Sequence, residues 1–264
     1  MSLIAAIHTI ATLVFIAGSG VVAIRLLWLA HRTRQLPELL LGSAILCSAL
    51  LGYGVMIASL VIRGGVTEAD AVPALAVWLM GIGRCVHDLG VTLFLAFVVY
   101  VFRRRAPWAW ALAGTMGLVM WGGVIVAASR GSFRAEQVGS LPWWCEYVVI
   151  WTYPLWALVE SYRYGVLVRR RVLLGLASPL VANRFFLWAT GALFTFLATA
   201  TASIPYLMLG DLDLMLRWTP AIRVATALLG LLSIGCSLFA FLPPAWYRRW
   251  FDEPRPQHVE PSAT

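Results

Sequence analysis

Three ionisable residues, Arg84, His87 and Asp88, lie within about one helical turn of a segment that is otherwise apolar. In an α-helix, positions i, i+3 and i+4 share one face, so the side chain of Arg84 can reach both His87 and Asp88. Charged side chains inside a membrane are costly to insert, and they usually mark a ligand site, a proton relay or an ion pathway. The stretch 81–92 therefore predicts a functional polar patch on one helix.

The chemistry open to this patch is proton exchange or the binding of a small ligand. An imidazole beside a carboxylate, as in His87 and Asp88, is readily tuned to change its charge near neutral pH. A metal or haem site is less favoured, because His87 is the only histidine well inside a predicted span and Cys85, two residues before it, points to another face. We predict no metal ligand and name no cofactor.

Catalytic motifs give no support for an enzyme. The patterns HExxH and GxSxG are absent from the sequence, and nothing in the spacing of Asp88 and Glu146 supports a pair of catalytic carboxylates. We therefore expect a protein that is not an enzyme, and we predict no catalytic residue.

The composition decides which elements must hold the patch. Of 264 residues, 61% are hydrophobic and only 12% are charged, whereas about a quarter of the residues of a soluble protein are charged. All 20 basic residues are arginine, and they lie in short segments between apolar runs, which indicates membrane topology rather than a nucleic-acid partner. The absence of lysine excludes a retinal Schiff base. The four cysteines show neither a disulfide framework nor zinc spacing.

The apolar runs predict an all-α polytopic membrane protein, a bundle of seven transmembrane helices. Runs of about 20 apolar residues are long enough to cross the hydrocarbon core. The predicted spans are 3–30, 38–62, 71–102, 108–129, 143–168, 179–209 and 218–242. Residues 1–245 are predicted to form the transmembrane domain. Residues 246–264 are predicted to form a cytoplasmic tail that is first interfacial, with both aromatic and basic residues, and then disordered.

The arginines also predict the orientation, because basic residues are retained on the cytoplasmic side. One set of alternate connections, with the tail, contains Arg32, Arg34, Arg103, Arg104, Arg105, Arg163, Arg169, Arg170, Arg171, Arg248, Arg249 and Arg255. The other set contains only Arg63, Arg130, Arg134 and Arg217, together with most of the acidic loop residues. The N-terminus is therefore expected outside and the C-terminus in the cytoplasm, in a plasma membrane of bacterial inner-membrane type.

The same depth argument adds residues from other spans to the patch. Counting back about 20 residues from Arg103 puts the patch in the outer part of the third span, and residues of the fifth, sixth and seventh spans are predicted at the same depth. We expect an outward-opening polar cavity that binds a small ligand or protons and is lined by Arg84, His87, Asp88, Glu146, Tyr206 and Arg223. Glu160, at the inner end of the fifth span, is expected to form an interfacial ion pair with Arg163, Arg25 or Arg184.

Three functions fit these residues. The first is an integral membrane sensor or receptor-like protein. The predicted plan of seven helices with the N-terminus outside resembles that of seven-helix receptors and rhodopsins, but the resemblance is one of topology only and does not transfer function. The second is a secondary transporter or proton-coupled permease that uses Glu160 as an inner relay. The third is an accessory subunit, because two arginines and two carboxylates can form a neutral network that only fixes helix register. The expected partners are the lipid bilayer, a small-molecule ligand, and a cytoplasmic protein or a second copy of the chain, without nucleic acid.

Overall fold

The structure, a computed structural model, describes residues 3–64, 71–133, 139–207 and 212–252. These residues are almost entirely helical, and each predicted span overlaps one or more of the helices. The elements are α1 (Leu3–Thr33), α2 (Leu36–Ile45), a π-helical segment (Leu46–Gly52), α3 (Tyr53–Arg63), α4 (Ala74–Phe102), α5 (Pro107–Ser129), α6 (Leu141–Leu173), α7 (Pro179–Leu207), α8 (Leu212–Phe241) and α9 (Ala245–Asp252).

Six helices of the described chain are long and apolar enough to cross a membrane, which supports an all-α polytopic membrane protein. They are Ala6–Thr33, Leu36–Arg63, Ala74–Phe102, Pro107–Ser129, Pro179–Ile204 and Thr219–Phe241. Many of their large apolar side chains, such as Ile10, Val61 and Leu118, are exposed on the outside of the bundle, as lipid contact requires. The fifth predicted span corresponds to α6, which is 33 residues long but carries more charge than the other long helices.

Local sequence signals explain several helix ends. A proline occupies the first turn of α2, α5 and α6, where its missing N–H costs no hydrogen bond. Gly64 ends α3 in the left-handed conformation, with a φ of 61°, and glycine adopts this conformation without steric cost. The tail begins as the short helix α9, which contains both aromatic and basic residues, whereas residues 253–264, where disorder was predicted, lie outside the described residues.

The helices pack mainly against their neighbours in sequence, and α8 returns to α1, so the bundle closes into a ring. Helix α4 has the most neighbours, because it contacts α2, the π-helical segment, α3, α5 and α6. Its buried residues Val91, Leu95 and Val98 pack into both hydrophobic clusters of the core. A side chain on α4 can therefore meet groups from several parts of the chain.

Glycines bring α4 unusually close to the π-helical segment. A Cβ atom at Gly52 would lie 2.7 Å from the Cα atom of His87, and one at Gly90 would lie 2.4 Å from the backbone nitrogen of Ser48. A third contact joins Gly83 of α4 to Met56 of α3. Small residues permit such backbone contact between membrane helices, and π-helical turns are frequent at functional sites. The contact fixes the position of His87 and Asp88 in the bundle.

Candidate functional site

His87 and Asp88 form a buried pair on α4. The Nδ1 atom of His87 lies 3.0 Å from the Oδ1 atom of Asp88. The exposed fraction is 8% for His87 and 0% for Asp88. The ring of Tyr53, at the start of α3, meets the imidazole edge-on at 5.8 Å between ring centroids. An ionisable pair at this depth has little access to water.

The second carboxylate oxygen of Asp88 is left without a hydrogen bond. Oδ2 is buried, and no partner for it occurs among the described residues. The backbone carbonyl of Asp88 accepts a hydrogen bond from Thr92 Oγ1 at 2.8 Å, and Thr92 Oγ1 in turn accepts one from Trp121 Nε1 at 3.0 Å. These bonds hold the helix turn in place, but they do not involve Oδ2. Buried polar atoms rarely lack a hydrogen-bond partner.

Helix α6 adds Glu146 to this pair. Its carboxylate, 5% exposed, forms an ion pair with Arg84 of α4. Donor atoms of His87, Asp88 and Glu146 all lie within 4.8 Å of one another. The structure therefore brings four of the six predicted site residues together, namely Arg84, His87, Asp88 and Glu146.

The other two predicted residues are not part of this cluster as described. Tyr206 lies in α7, but its side chain is outside the described residues, so its role stays a prediction. Arg223 lies on α8, which packs against α1 and α7. It is exposed and close enough to His8 of α1 for a Coulombic interaction. Within the described chain no polar contact links Arg223 to Glu146 or to the residues of α4.

A pocket of about 50 Å³, named here the small pocket, opens beside the ion pair. Arg84 and Glu146 line its wall, and the deeper His87 and Asp88 do not. The remaining wall comes from the end of α5, the start of α6 and the connection between them, including Ser132, Phe133 and Trp143. The ion pair is thus within reach of a small molecule that enters the pocket.

A larger cavity of about 120 Å³, named here the central cavity, lies in the middle of the bundle. Helices α1, α2, α4, α6, α7 and α8 and the π-helical segment line it with aromatic rings and with hydroxyl groups. Thr195 Oγ1 and Ser233 Oγ face each other there at 2.7 Å. This cavity was not predicted from the sequence. The feature of the sequence that could have indicated it is the set of hydroxyl residues on the sixth and seventh spans, which include Thr195 and Ser233.

A second ion pair joins α4 and α6 at the other end of the bundle. Arg103, the residue that follows α4, donates a hydrogen bond from Nε to Glu160 Oε1 at 2.8 Å. The expected partners of Glu160 were Arg163, Arg25 and Arg184, and this expectation is corrected. The reason is that α4 and α6 run side by side in the same direction, which brings the end of α4 to Glu160. Arg25 instead lies over the ring of Trp28.

Comparison with protein-family models, with curated proteins and with solved structures found no match to this chain.

Proposed function

We propose that this chain is an integral membrane sensor or receptor-like protein that binds a small ligand in the small pocket. The observation that carries this proposal is the position of the Arg84–Glu146 ion pair on the pocket wall. A charged pair that is shielded from lipid and open to a pocket is typical of a binding site in a membrane protein. The pair offers a cation and an anion at one place, so it suits a small polar ligand that carries both charges.

The proposal includes α6 as the seventh span. The two ion pairs between α4 and α6 lie about 21 Å apart along α6, at 1.5 Å per residue, which is about two thirds of the hydrocarbon thickness. Since α4 is apolar enough to cross the membrane, a helix joined to it at both ends is expected to cross beside it. The carboxylates of α6 are then charged groups paired inside the bundle.

The orientation follows from the arginines and is part of the proposal. With the arginine-rich connections in the cytoplasm, the small pocket opens to the outside and the Arg103–Glu160 pair lies near the inner surface. The membrane is then a plasma membrane, of bacterial inner-membrane type. The tail and the arginine-rich connections are available to a cytoplasmic protein partner.

A signal can pass along the α4–α6 pair. A ligand that contacts Arg84 or Glu146 competes with their ion pair and changes the free energy that holds the outer ends of the two helices together. Pro154 interrupts the backbone hydrogen bonds of α6 between its two carboxylates, and such a site permits bending. The inner pair, Arg103–Glu160, would then respond to the outer one.

The test is a thermal-shift screen of small polar compounds with the full chain in lipid nanodiscs. We expect stabilising compounds whose effect is lost in Arg84→Gln and Glu146→Gln. Glu160→Gln is the matched control, because it removes an ion pair from the same two helices far from the small pocket. A screen in which every stabilising compound acts equally on Glu146→Gln would contradict the proposal.

A transporter is the second candidate, favoured by the central cavity that lies between the two ion pairs. A transporter predicts uptake of a screened compound into proteoliposomes, abolished by Asp88→Asn, whereas a sensor binds the compound without flux.

The third candidate is an accessory subunit whose charged network is structural. It is favoured by the ion pairs themselves, because paired charges can fix the register of two helices without binding a ligand. If the network is only structural, replacing Arg84, Asp88 and Glu146 together by neutral residues should leave compound binding unchanged.

A further inference from the structure

We infer that His87, Asp88 and Glu146 form a binding site for a divalent transition-metal ion of the zinc type. The inference rests on the proposed function, because it names a metal ion as a ligand of the same cluster. The site lies deeper than the small pocket and uses donors from two helices, α4 and α6. The sequence analysis put Glu146 at the depth of His87 and Asp88 but disfavoured a metal because the spans contain a single deep histidine; the structure adds the short distances between the three donors.

The three side chains are close enough to share one ion. Donor atoms of the three side chains lie within 4.8 Å of one another, and two ligands of a tetrahedral zinc ion are about 3.4 Å apart when the metal–ligand bonds are 2.0–2.2 Å long. Small side-chain rotations therefore suffice to bring the donors to bonding distance. Glu146 has two carboxylate oxygens, so it can bind the ion through one of them and keep Arg84 on the other.

One oxygen of the Asp88 carboxylate lacks a partner within the described part of the chain. Asp88 is fully buried, and its Oδ2 atom has no hydrogen-bond partner among the described residues. A buried carboxylate oxygen without a partner is strongly unfavourable unless a proton or a cation meets it. A metal ion beside Glu146 and His87 supplies that cation.

The donor set indicates which ions fit. One imidazole and two carboxylates are nitrogen and oxygen donors, which suit zinc and also manganese or iron, whereas softer ions prefer sulfur. The carboxylates of Asp88 and Glu146 balance the charge of a divalent ion, and Arg84, paired with Glu146, adds one positive charge beside the site. Three protein ligands leave one tetrahedral position open, and that position is available to water or to a ligand of the sensor.

The test uses the full chain in nanodiscs, prepared without metal and titrated with Co²⁺, whose d–d absorption reports its coordination. We expect the wild-type chain to bind one ion. We expect the affinity to fall by at least about 100-fold in His87→Gln, Asp88→Asn and Glu146→Gln, because the loss of a second-shell partner alone costs 10–100-fold. Glu160→Gln, which removes an equally buried carboxylate from α6, is the control and is expected to bind like wild type. Absence of binding in wild type, or equal binding in Asp88→Asn and Glu146→Gln, would overturn the inference.

A measurement without variants guards against a folding defect. X-ray absorption of the Zn²⁺-loaded wild-type chain is expected to report one imidazole and oxygen ligands at 2.0–2.2 Å. A sulfur ligand at about 2.3 Å would assign the ion to a cysteine and overturn the inference.

Arg84→Gln separates this inference from the proposed function. It removes a second-shell partner of Glu146 but no donor atom, so Co²⁺ binding is expected to weaken by less than in the donor variants and to stay measurable, while the compounds found in the small-pocket screen no longer bind. Loss of compounds without any Co²⁺ binding in wild type leaves the sensor standing and overturns the metal site. Co²⁺ binding with no compound that depends on Arg84 leaves the metal site standing and contradicts the small pocket as a ligand site.

Discussion

Replacing Glu146 by glutamine tests how strongly the ion pair holds α4 and α6 together. The substitution keeps the size of the side chain but removes its charge, and it leaves Arg84 without a counter-ion. Breaking a buried ion pair in this way costs about 3–5 kcal/mol in proteins. The Glu146 side chain is 6% exposed, but that of Arg84 is 22% exposed, so water reaches part of the guanidinium. We therefore expect the free energy of unfolding to fall by about 3 kcal/mol, the lower end of that range.

The double variant Arg84→Gln/Glu146→Gln isolates the pair. When both charges are absent, no uncompensated charge stays in the bundle, so much of the stability lost in Glu146→Gln is expected to return. A double-mutant cycle should give a coupling energy of about 2–3 kcal/mol, at the upper end of the range for residues in contact. The assay is reversible unfolding of the purified chain in mixed micelles with increasing denaturing detergent.

The matched control is the same cycle on Arg103 and Glu160. This pair lies at the end of the bundle, and the Arg103 side chain is 28% exposed, so its coupling energy is expected to be smaller than that of the Arg84–Glu146 pair. The reasoning is refuted if Glu146→Gln costs less than about 0.5 kcal/mol, the usual effect of a surface substitution, or if the double variant is less stable than Glu146→Gln.

Three further outcomes are expected from the packing around the site. Gly52→Ala should destabilise the chain, because its Cβ would lie 2.7 Å from the backbone of His87, whereas Gly54→Ala, with nothing within 4 Å of its Cβ, should not; thermal unfolding of both variants compares them. Trp121→Phe removes the hydrogen bond to Thr92 and should lower the free energy of unfolding by about 1 kcal/mol, measured by the same detergent titration. Ser233→Ala removes the hydrogen-bond partner of Thr195 in the central cavity and should lower the free energy of unfolding by a similar amount. If Trp121→Phe or Ser233→Ala lowers it by less than about 0.3 kcal/mol, the hydrogen bond that the variant lacks contributes little to stability.

Much of the site follows from sequence because two simple rules apply to it. Helical phase put Arg84, His87 and Asp88 on one face, and counting residues along the third and fifth spans put Glu146 at the same depth. Both rules concern distances along a helix axis, which the number of residues determines. The four residues do come together in the structure.

The features that sequence reasoning missed depend on how helices are rotated and arranged around the bundle. Arg223 was predicted at the same depth as the patch, but α8 packs against α1 and α7, so the side chain of Arg223 lies away from α4. Glu160 has several arginines near it in sequence, and only the placement of α4 beside α6 selects Arg103. The π-helical segment has no local sequence signal, because its apolar residues suit an ordinary α-helix equally well, and its register becomes defined by contact with Gly83 and Gly90 of α4.

The central claim is that the α4–α6 pair carries a signal from the small pocket to the Arg103 end, and a distance measurement tests it most directly. Spin labels at the exposed positions Arg104→Cys and Leu167→Cys, in a chain whose four native cysteines are replaced, report the separation of the two helices near the Arg103–Glu160 pair. A compound whose binding depends on Arg84 is predicted to change the measured distance distribution, and Glu146→Gln is predicted to abolish that change. An unchanged distribution in the presence of the bound compound, or an equal change in Glu146→Gln, would contradict the account.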